Sequence, residues 1–266
     1  MKKQRVLFIG AGRMAEAIVA GLLKTGSSKI EEIIMSNQGD EQRLKRLKQR
    51  YGVTTTHNWH FEVANSDVIV LAAPPAAHQE LLAELSGFLT GQFVVTIAAG
   101  IGPSFLEESL PLHTPVAWIM PNTAAMIGQS ISLYAMGSSA TDEHKKVLHM
   151  LLKGMGESQE CTEEEIHRLT AITGSAPAFF YQFAEHLIDA AKGYGVEEKI
   201  AADLVVQMLY GSALMLKKEK QPAALRDQVT TPGGATAEGL KVLVENEFGD
   251  LVQKAIEATN KKALGK

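Results

Sequence analysis

Cysteine is almost missing from this chain. Cys161 is the single one in 266 residues, so the chain closes no internal disulfide and builds no cysteine-based zinc cluster. Excess charge of either sign is missing too. A net charge of −4 and a pI near 6.1 give no electrostatic reason to expect a nucleic-acid partner or an anionic membrane surface. No apolar run approaches the roughly 18 residues of a spanning helix, so no membrane segment is expected. Met1-Lys2-Lys3-Gln4-Arg5 has the charge of a signal-peptide start, but the apolar run behind it is short and breaks at once into glycines. A cytoplasmic location is the expectation. Repeats and low-complexity stretches are lacking. Metal ligands do not cluster either: His57 and His60 stand three apart with no third ligand in view, so no metal site is expected. What is present is 45% hydrophobic residues, enough for a real core, in a length that suits two domains.

The rest of the chain is organised around its first dozen residues. Val6-Leu7-Phe8-Ile9 is an apolar run, Gly10-Ala11-Gly12-Arg13-Met14-Ala15 follows, and Ala15, Ile18, Val19, Leu22 and Leu23 then recur at helical spacing. That reads as buried strand, glycine turn and amphipathic helix, the context in which G-x-G-x-x-A marks a dinucleotide site. Gly10 allows the sharp turn, and Gly12 lets a pyrophosphate approach the backbone. Ala15 lets helix and strand pack closely. The helix N–H groups and positive dipole end face the phosphates.

Ile33-Ile34-Met35 is a second strand, ending at Ser36-Asn37. An NAD-specific site places a carboxylate there for the ribose 2′-hydroxyl; here none occurs before Asp40, and Arg43, Lys45 and Arg46 follow. The reading favours NADP, with most of that basic run a solvated helix face. Residues 68–73 and 93–100 are near-continuous apolar strands, with helical patterns at 76–86 and 103–109 between and after them. Strand and helix alternate, which implies a parallel sheet whose ligands lie beyond the strands' carboxyl ends. Ala73-Pro74, Ala98-Ala99 and Asn122 occupy such ends. Asn122 can donate and accept hydrogen bonds, which suits a nicotinamide carboxamide or a substrate. A further strand is expected at 131–136, a helix capped by Thr141 to about Lys153, and a last edge strand at 158–161.

From Glu163 onward the chain reads as helices. Ser175-Ala176-Pro177 opens one, and 196–218 forms a long one that is apolar on more than one side, so it is expected to pack against a second subunit. Residues 225–240 hold Thr230-Thr231-Pro232-Gly233-Gly234 before a helix beginning near Ala235. Free N–H groups at such a helix start, with hydroxyls beside them, form a site for a small anion such as a carboxylate.

Taken in order, and over essentially the whole chain, these stretches resemble the pyrroline-5-carboxylate reductases, enzymes of the last step of proline synthesis. Residues 10–15 are similar to the family's cofactor loop, and Ile97-Ala98-Ala99-Gly100-Ile101 to its AAG strand end. Met120-Pro121-Asn122-Thr123 looks like its MPNTP segment, and Thr173-Gly174-Ser175-Ala176-Pro177-Ala178 like its SGSGPA helix start. Residues 225–237 are close to its LRDxVTSPGGTT loop, the most specific of these motifs. Departures exist. Ala73-Pro74-Pro75 stands where the family has Val-Lys-Pro, Trp118 where it has arginine, Ala124 where it has proline, and Ala176 where it has glycine.

The resemblance implies an α/β Rossmann-type dinucleotide-binding domain, residues 1–161, followed by an all-α dimerisation and substrate domain, residues 162–266. It implies a homodimer or larger assembly whose active site is shared between subunits. The cofactor is NADP, with NAD possible, bound by Gly10, Gly12, Arg13, Met14, Ser36, Asn37, Ala73, Pro74, Ala98, Ala99 and Asn122. The substrate is a cyclic imine bearing a carboxylate, held by Thr231, Gly234, Ala235, Thr236 and Asn122. Thr236 is the catalytic residue, its hydroxyl donating to the imine nitrogen. Two rival readings stand beside this one. A reductase-like paralogue would bind nucleotide with weak activity. A β-hydroxyacid dehydrogenase would carry a lysine on the first long helix of the second domain, where residues 175–191 have none.

Overall fold

The apolar run of residues 6–9 lies within β1 (Gln4–Ile9) of a computed structural model that describes residues 2–263. Each residue of the run is at most 5% exposed, as a strand covered on both faces requires. β1 pairs in parallel with β2 (Ile30–Ser36) on one side and β4 (Val68–Leu71) on the other. β3 (Thr54–Thr56) extends the sheet beyond β2, and β5 (Phe93–Thr96) and β6 (Val116–Met120) extend it beyond β4, all in parallel. β7 (Ser130–Met136) then pairs antiparallel with β6, and β8 (Gly156–Glu160) closes the order β3-β2-β1-β4-β5-β6-β7-β8. The chain reverses its direction of travel across the sheet between β1 and β4, which makes their carboxyl ends the switch point where ligands bind.

The period-two geometry of β1 sorts its side chains between two cores. Val6 and Phe8 join the side covered by α1 (Arg13–Thr25), α2 (Glu41–Tyr51) and α6 (Asp142–Lys153), with Ile18, Leu22, Leu44, Leu47, Leu148 and Leu151. Leu7 and Ile9 join the other side, with Trp59 and Val63 at α3 (His60–Val63), Leu82 and Leu85 of α4 (His78–Ser86), and Leu106 of α5 (Pro103–Ser109). A third patch unites Trp118, Leu133 and Ala135 with Ile166 of α7 (Glu163–Thr170).

That third patch explains where the first compact unit ends. It comprises residues 1–174 and 260–266, reaching beyond the expected boundary at 161, because Ile166 is fully buried against Trp118. Asn260 also returns to this unit, donating from Nδ2 to the Arg168 carbonyl at 3.0 Å. The expected helix start at Ser175 is found, with Ser175 at the N-cap of α8 (Ala176–Gly193) and proline in its first turn, and α7 leads into it through a π-helical turn, Ala171–Ser175. Thr170 and Thr173 donate their hydroxyls back to the Ile166 and Leu169 carbonyls, a habit that bends helices. β3 escaped the sequence reading because its three threonines form a polar edge without apolar alternation.

The second unit, Ser175–Thr259, is helical throughout: α8, α9 (Glu198–Glu219), α10 (Pro222–Gln228), α11 (Ala235–Glu245) and most of α12 (Phe248–Ala263). It buries very little of itself. α9 encloses only Ala201 and Val205, and no residue of α8, α10, α11 or α12 is buried. Leu204, Val206, Met208, Tyr210 and Leu214 on α9 are between 48% and 61% exposed. By length and composition α9 is also apolar enough to cross a membrane. So large an apolar surface requires cover. Placing charge on it, as Leu204→Glu with Leu214→Glu, is expected to reduce the particle mass in light scattering to that of one 28.7 kDa chain. An unchanged mass would show that copies do not meet on this face.

Candidate active site

The glycine turn is held at one point by three strand ends. Gly10 has φ +111°, and a Cβ there would lie 2.6 Å from the carbonyl carbon and oxygen of Ala72. Its N–H donates to the Ser36 carbonyl at 3.0 Å. Only glycine satisfies both the angle and the approach. Gly12 is different: a Cβ there would meet nothing within 4 Å. Its missing side chain therefore serves no internal packing. It opens space at the start of α1, whose N-terminus has no side-chain cap. The first N–H groups of a helix have no intrahelical partners, so this end is ready for an anion.

Above the turn lies a cleft of about 890 Å³. Its lining includes Gly10, Gly12, Arg13, Met14, Ser36, Asn37, Ala73, Pro74, Ala98 and Ala99. The structure thus brings together ten of the eleven expected cofactor residues. An uncapped helix end, a Cβ-free approach and a cleft of ligand-binding size fit a dinucleotide.

Asn122, the eleventh, departs from expectation and lies outside the cleft's described lining. Its Oδ1 accepts the Ala124 N–H at 3.0 Å, its Nδ2 donates to the Thr173 carbonyl at 3.0 Å, and its backbone N–H donates to Ser130 Oγ at 3.1 Å. It holds the turn after β6 to the π-helical junction. The proline before it signals such a turn-former, with Oδ1 used in a local cap and Nδ2 in a tertiary contact.

Behind the turn sits a charge network that the sequence reading missed. Glu16, 8% exposed on α1, faces Arg43 at 2.6 Å, Arg50 at 3.1 Å and the Tyr51 hydroxyl at 3.0 Å. Burial acts to raise its carboxyl, but the hydrogen bonds from Tyr51 and Arg43 and the charges of Arg43 and Arg50 outweigh it and hold the group below the usual carboxylate value. The stabilisation is present above the ordinary carboxylate range and is lost as pH falls through the depressed value. Arg43 also donates from Nε to the Ala11 carbonyl at 2.9 Å and from Nη2 to the Gly12 carbonyl at 3.3 Å. It lines the cleft, yet its guanidinium is committed to Glu16 and the loop. Lys45 pairs with Glu41 at 2.8 Å on a solvated face. The signal available was an acidic residue one turn into α1 with two arginines and a tyrosine on the next helix.

Two further residues had been passed over. His78 is fully buried beneath Pro74, and Trp118 donates its indole N–H to the Ala98 carbonyl at 2.9 Å. Among the described residues no group of three or more His, Cys, Asp and Glu could hold a metal. Burial, with Glu165 and Glu160 nearby, pushes the Cys161 thiol up, which suits a structural residue.

In the second unit, Gly233 takes φ +71° and Gly234 donates its N–H to the Thr231 carbonyl at 2.9 Å. A Cβ on Gly234 would strike Thr231 Oγ1. Gly234 precedes α11 without a side-chain cap, so the first-turn N–H groups of Ala235 and Thr236 lack intrahelical partners. The Thr230 hydroxyl is already committed to the Arg226 carbonyl at 2.7 Å. Thr231, Ala235 and Thr236 are exposed. The local geometry is a donor-lined turn of the kind that receives a carboxylate.

Comparison with known proteins fits both halves. The family model described as pyrroline-5-carboxylate reductase dimerisation matches residues 163–265, and one described as NADP oxidoreductase, coenzyme F420-dependent, matches residues 5–100. Pyrroline-5-carboxylate reductase 1 of Bacillus subtilis (strain 168) is 33% identical over 98% of this chain and 89% of its own. Pyrroline-5-carboxylate reductase 3 of Rattus norvegicus is 34% identical over 98% of this chain and 95% of its own. Among solved structures, the Plasmodium falciparum pyrroline carboxylate reductase with NADP bound aligns with a TM-score of 0.88 at 27% identity, covering 100% of this chain and 98% of that one. The enzyme from Streptococcus pyogenes aligns with a TM-score of 0.89 at 28% identity, covering 99% of each chain.

The contrast between the two glycines yields a test. Gly12→Ala is expected to leave the thermal unfolding midpoint near that of the wild type. It should weaken NADPH binding, followed by fluorescence titration, by about tenfold or more, equivalent to roughly 1.4 kcal/mol. Unchanged affinity would remove the turn from the cofactor site.

Proposed function

As the chain belongs to the pyrroline-5-carboxylate reductase family, it reduces 1-pyrroline-5-carboxylate to L-proline by hydride transfer from NADPH, and we propose that it does so with the residues described above. The observation that carries this reading is the Gly12 opening at an uncapped helix end, in a chain matched along its whole length by reductases of this family. NADPH, when bound, supplies the hydride. The turn of residues 10–14 would hold its phosphates, with Ser36 and Asn37 at the end of β2 and Ala73, Pro74, Ala98 and Ala99 forming the remaining floor.

Reduction of the C=N bond places a hydride on carbon and leaves a proton on nitrogen. We assign the substrate's carboxylate to the N–H groups of Ala235 and Thr236 and to the Thr231 hydroxyl, with Gly234 shaping the turn through its own bond to the Thr231 carbonyl. Thr236 donates its hydroxyl to the ring nitrogen and aligns the C=N carbon. Alignment of this kind removes much of a barrier without a strong acid. An imine is basic enough to take its proton from solvent before reduction, and the Thr236 hydroxyl then donates to the lone pair that forms on nitrogen as hydride reaches the carbon, so a site of hydroxyls and amides suffices.

We assign residues 1–161 to dinucleotide binding and 162–266 to dimerisation and substrate binding. Met1 and residues 264–266 lie outside the described residues. The family models support this division, since the dimerisation match begins at residue 163. The apolar faces of α8 and α9 are then covered by a second copy, rather than by lipid, in a homodimer or a larger assembly. The 229–236 loop of a neighbouring copy completes each active site. We place the protein in the cytoplasm, with no nucleic-acid or membrane partner.

Thr236→Ala is expected to lower kcat by about a hundredfold while changing NADPH affinity little, because it removes a donor to the reacting nitrogen. Loss of NADPH absorbance with pyrroline-5-carboxylate, beside direct cofactor titration, measures the two effects separately. A variant turning over at the wild-type rate would take Thr236 out of the chemistry.

A further inference from the structure

Beneath the cleft a chain of hydrogen bonds runs through three fully buried side chains, His78, Thr96 and Trp118, that do not themselves line it among the described residues. His78 Nδ1 lies 3.1 Å from the Pro74 carbonyl oxygen, and His78 Nε2 lies 3.1 Å from Thr96 Oγ1. Thr96 Oγ1 accepts the Ala98 N–H at 3.2 Å, and the Ala98 carbonyl accepts the Trp118 Nε1–H at 2.9 Å. Burial, opposed by the Pro74 hydrogen bond, pushes His78 below its ordinary value and favours the neutral imidazole. A carbonyl only accepts, so in the neutral ring Nδ1 carries the hydrogen and Nε2 accepts from the Thr96 hydroxyl, whose lone pairs take the Ala98 N–H. Trp118 can only donate.

Two links of this chain, the backbones of Pro74 and Ala98, belong to residues that line the cleft. Pro74 follows β4, and Ala98 follows β5, and both are in the lining. Ala98 is held through its N–H and its carbonyl together. Thr96 is the one polar residue of β5, and its hydroxyl joins His78 to Ala98. Trp118 uses its single donor here.

We propose that His78, Thr96 and Trp118 are positioning residues for the reduction, acting through the backbones of Pro74 and Ala98 to fix the cleft floor against which the reduced cofactor is held. The proposal rests on the reductase reading for the reaction it serves. Its structural content stands without it.

Thr96→Val keeps the shape and removes both links of the hydroxyl, whereas Thr96→Ser keeps both. Hydrogen exchange on the cofactor-free protein is expected to show the Ala98 amide losing protection in Thr96→Val and retaining it in Thr96→Ser. Single-turnover hydride transfer from 4-deuterated and unlabelled NADPH is expected to slow about ten- to hundredfold in Thr96→Val, as a misplaced floor would cause. In Thr96→Ser it should stay within about threefold of the wild type. A variant that merely lost stability would lower the amount of folded protein but leave the transfer rate per bound cofactor and its isotope effect unchanged, and that outcome overturns the proposal. Should Thr96→Val fail to fold, Trp118→Phe, which deletes one donor and keeps the ring, must slow transfer and loosen the Ala98 amide, or the proposal falls. If the wild type does not oxidise NADPH with the imine, the reductase reading fails, and the exchange pattern with NADP+ titration still decides whether the three side chains hold the floor.

Discussion

Everything in the first unit depends on Gly10 lying against the Ala72 carbonyl. At that contact β1 ends, the chain turns with a positive φ, and α1 begins, all within van der Waals reach of the end of β4. The hydrogen bond from Gly10 to Ser36 ties the end of β2 to the same point. Three strand ends are thus brought to one place by one residue with no side chain. The cleft follows from it, because the helix start cannot move away from the sheet and its N–H groups are left facing outward. Arg43 then secures the turn from the far side by taking the Ala11 and Gly12 carbonyls. The loop is rigid on its inner surface and open on its outer one, the combination that pre-organises an anion site.

Much of this was legible in the sequence, and for identifiable reasons. The strands at 6–9, 68–71 and 93–96 are apolar on both faces, which few alternatives produce. The two glycines between strand and helix carry different constraints that the geometry separates cleanly: Gly10 is required by the fold and Gly12 by what approaches it. What stayed hidden were partnerships across long sequence distances. Glu16 and Arg43 lie 27 residues apart, and His78 and Thr96 lie 18 apart, with nothing local to pair them. Asn122 shows both kinds of signal: its cap on the Ala124 N–H is local and readable, while its bond to the Thr173 carbonyl is not.

The helical half follows a different logic. A helix such as α9, apolar around most of its circumference, is not satisfied by α8 and α10, whose own residues are all unburied. Were its cover a second copy, as proposed, stability of this unit and association of copies would share one free energy.

Charge in the cleft is governed by pairing more than by composition. Of the arginines in the described lining, Arg43 is neutralised by Glu16 at 2.6 Å, and Asp40 is engaged as the cap of α2 by accepting the Arg43 backbone N–H. Glu84 lies 3.3 Å from His60. Residues 73–75 are Ala-Pro-Pro and bring no cation to the cleft. Arg13 is then the exposed cation next to the turn, at the position where the dipole of α1 already favours negative charge. In the proposed site the phosphates would then be met by oriented backbone and one arginine rather than by a ring of positive side chains. Where few charges attract the cofactor, alignment would fall to the backbones of Pro74 and Ala98, which the buried chain from Trp118 through Thr96 to His78 joins.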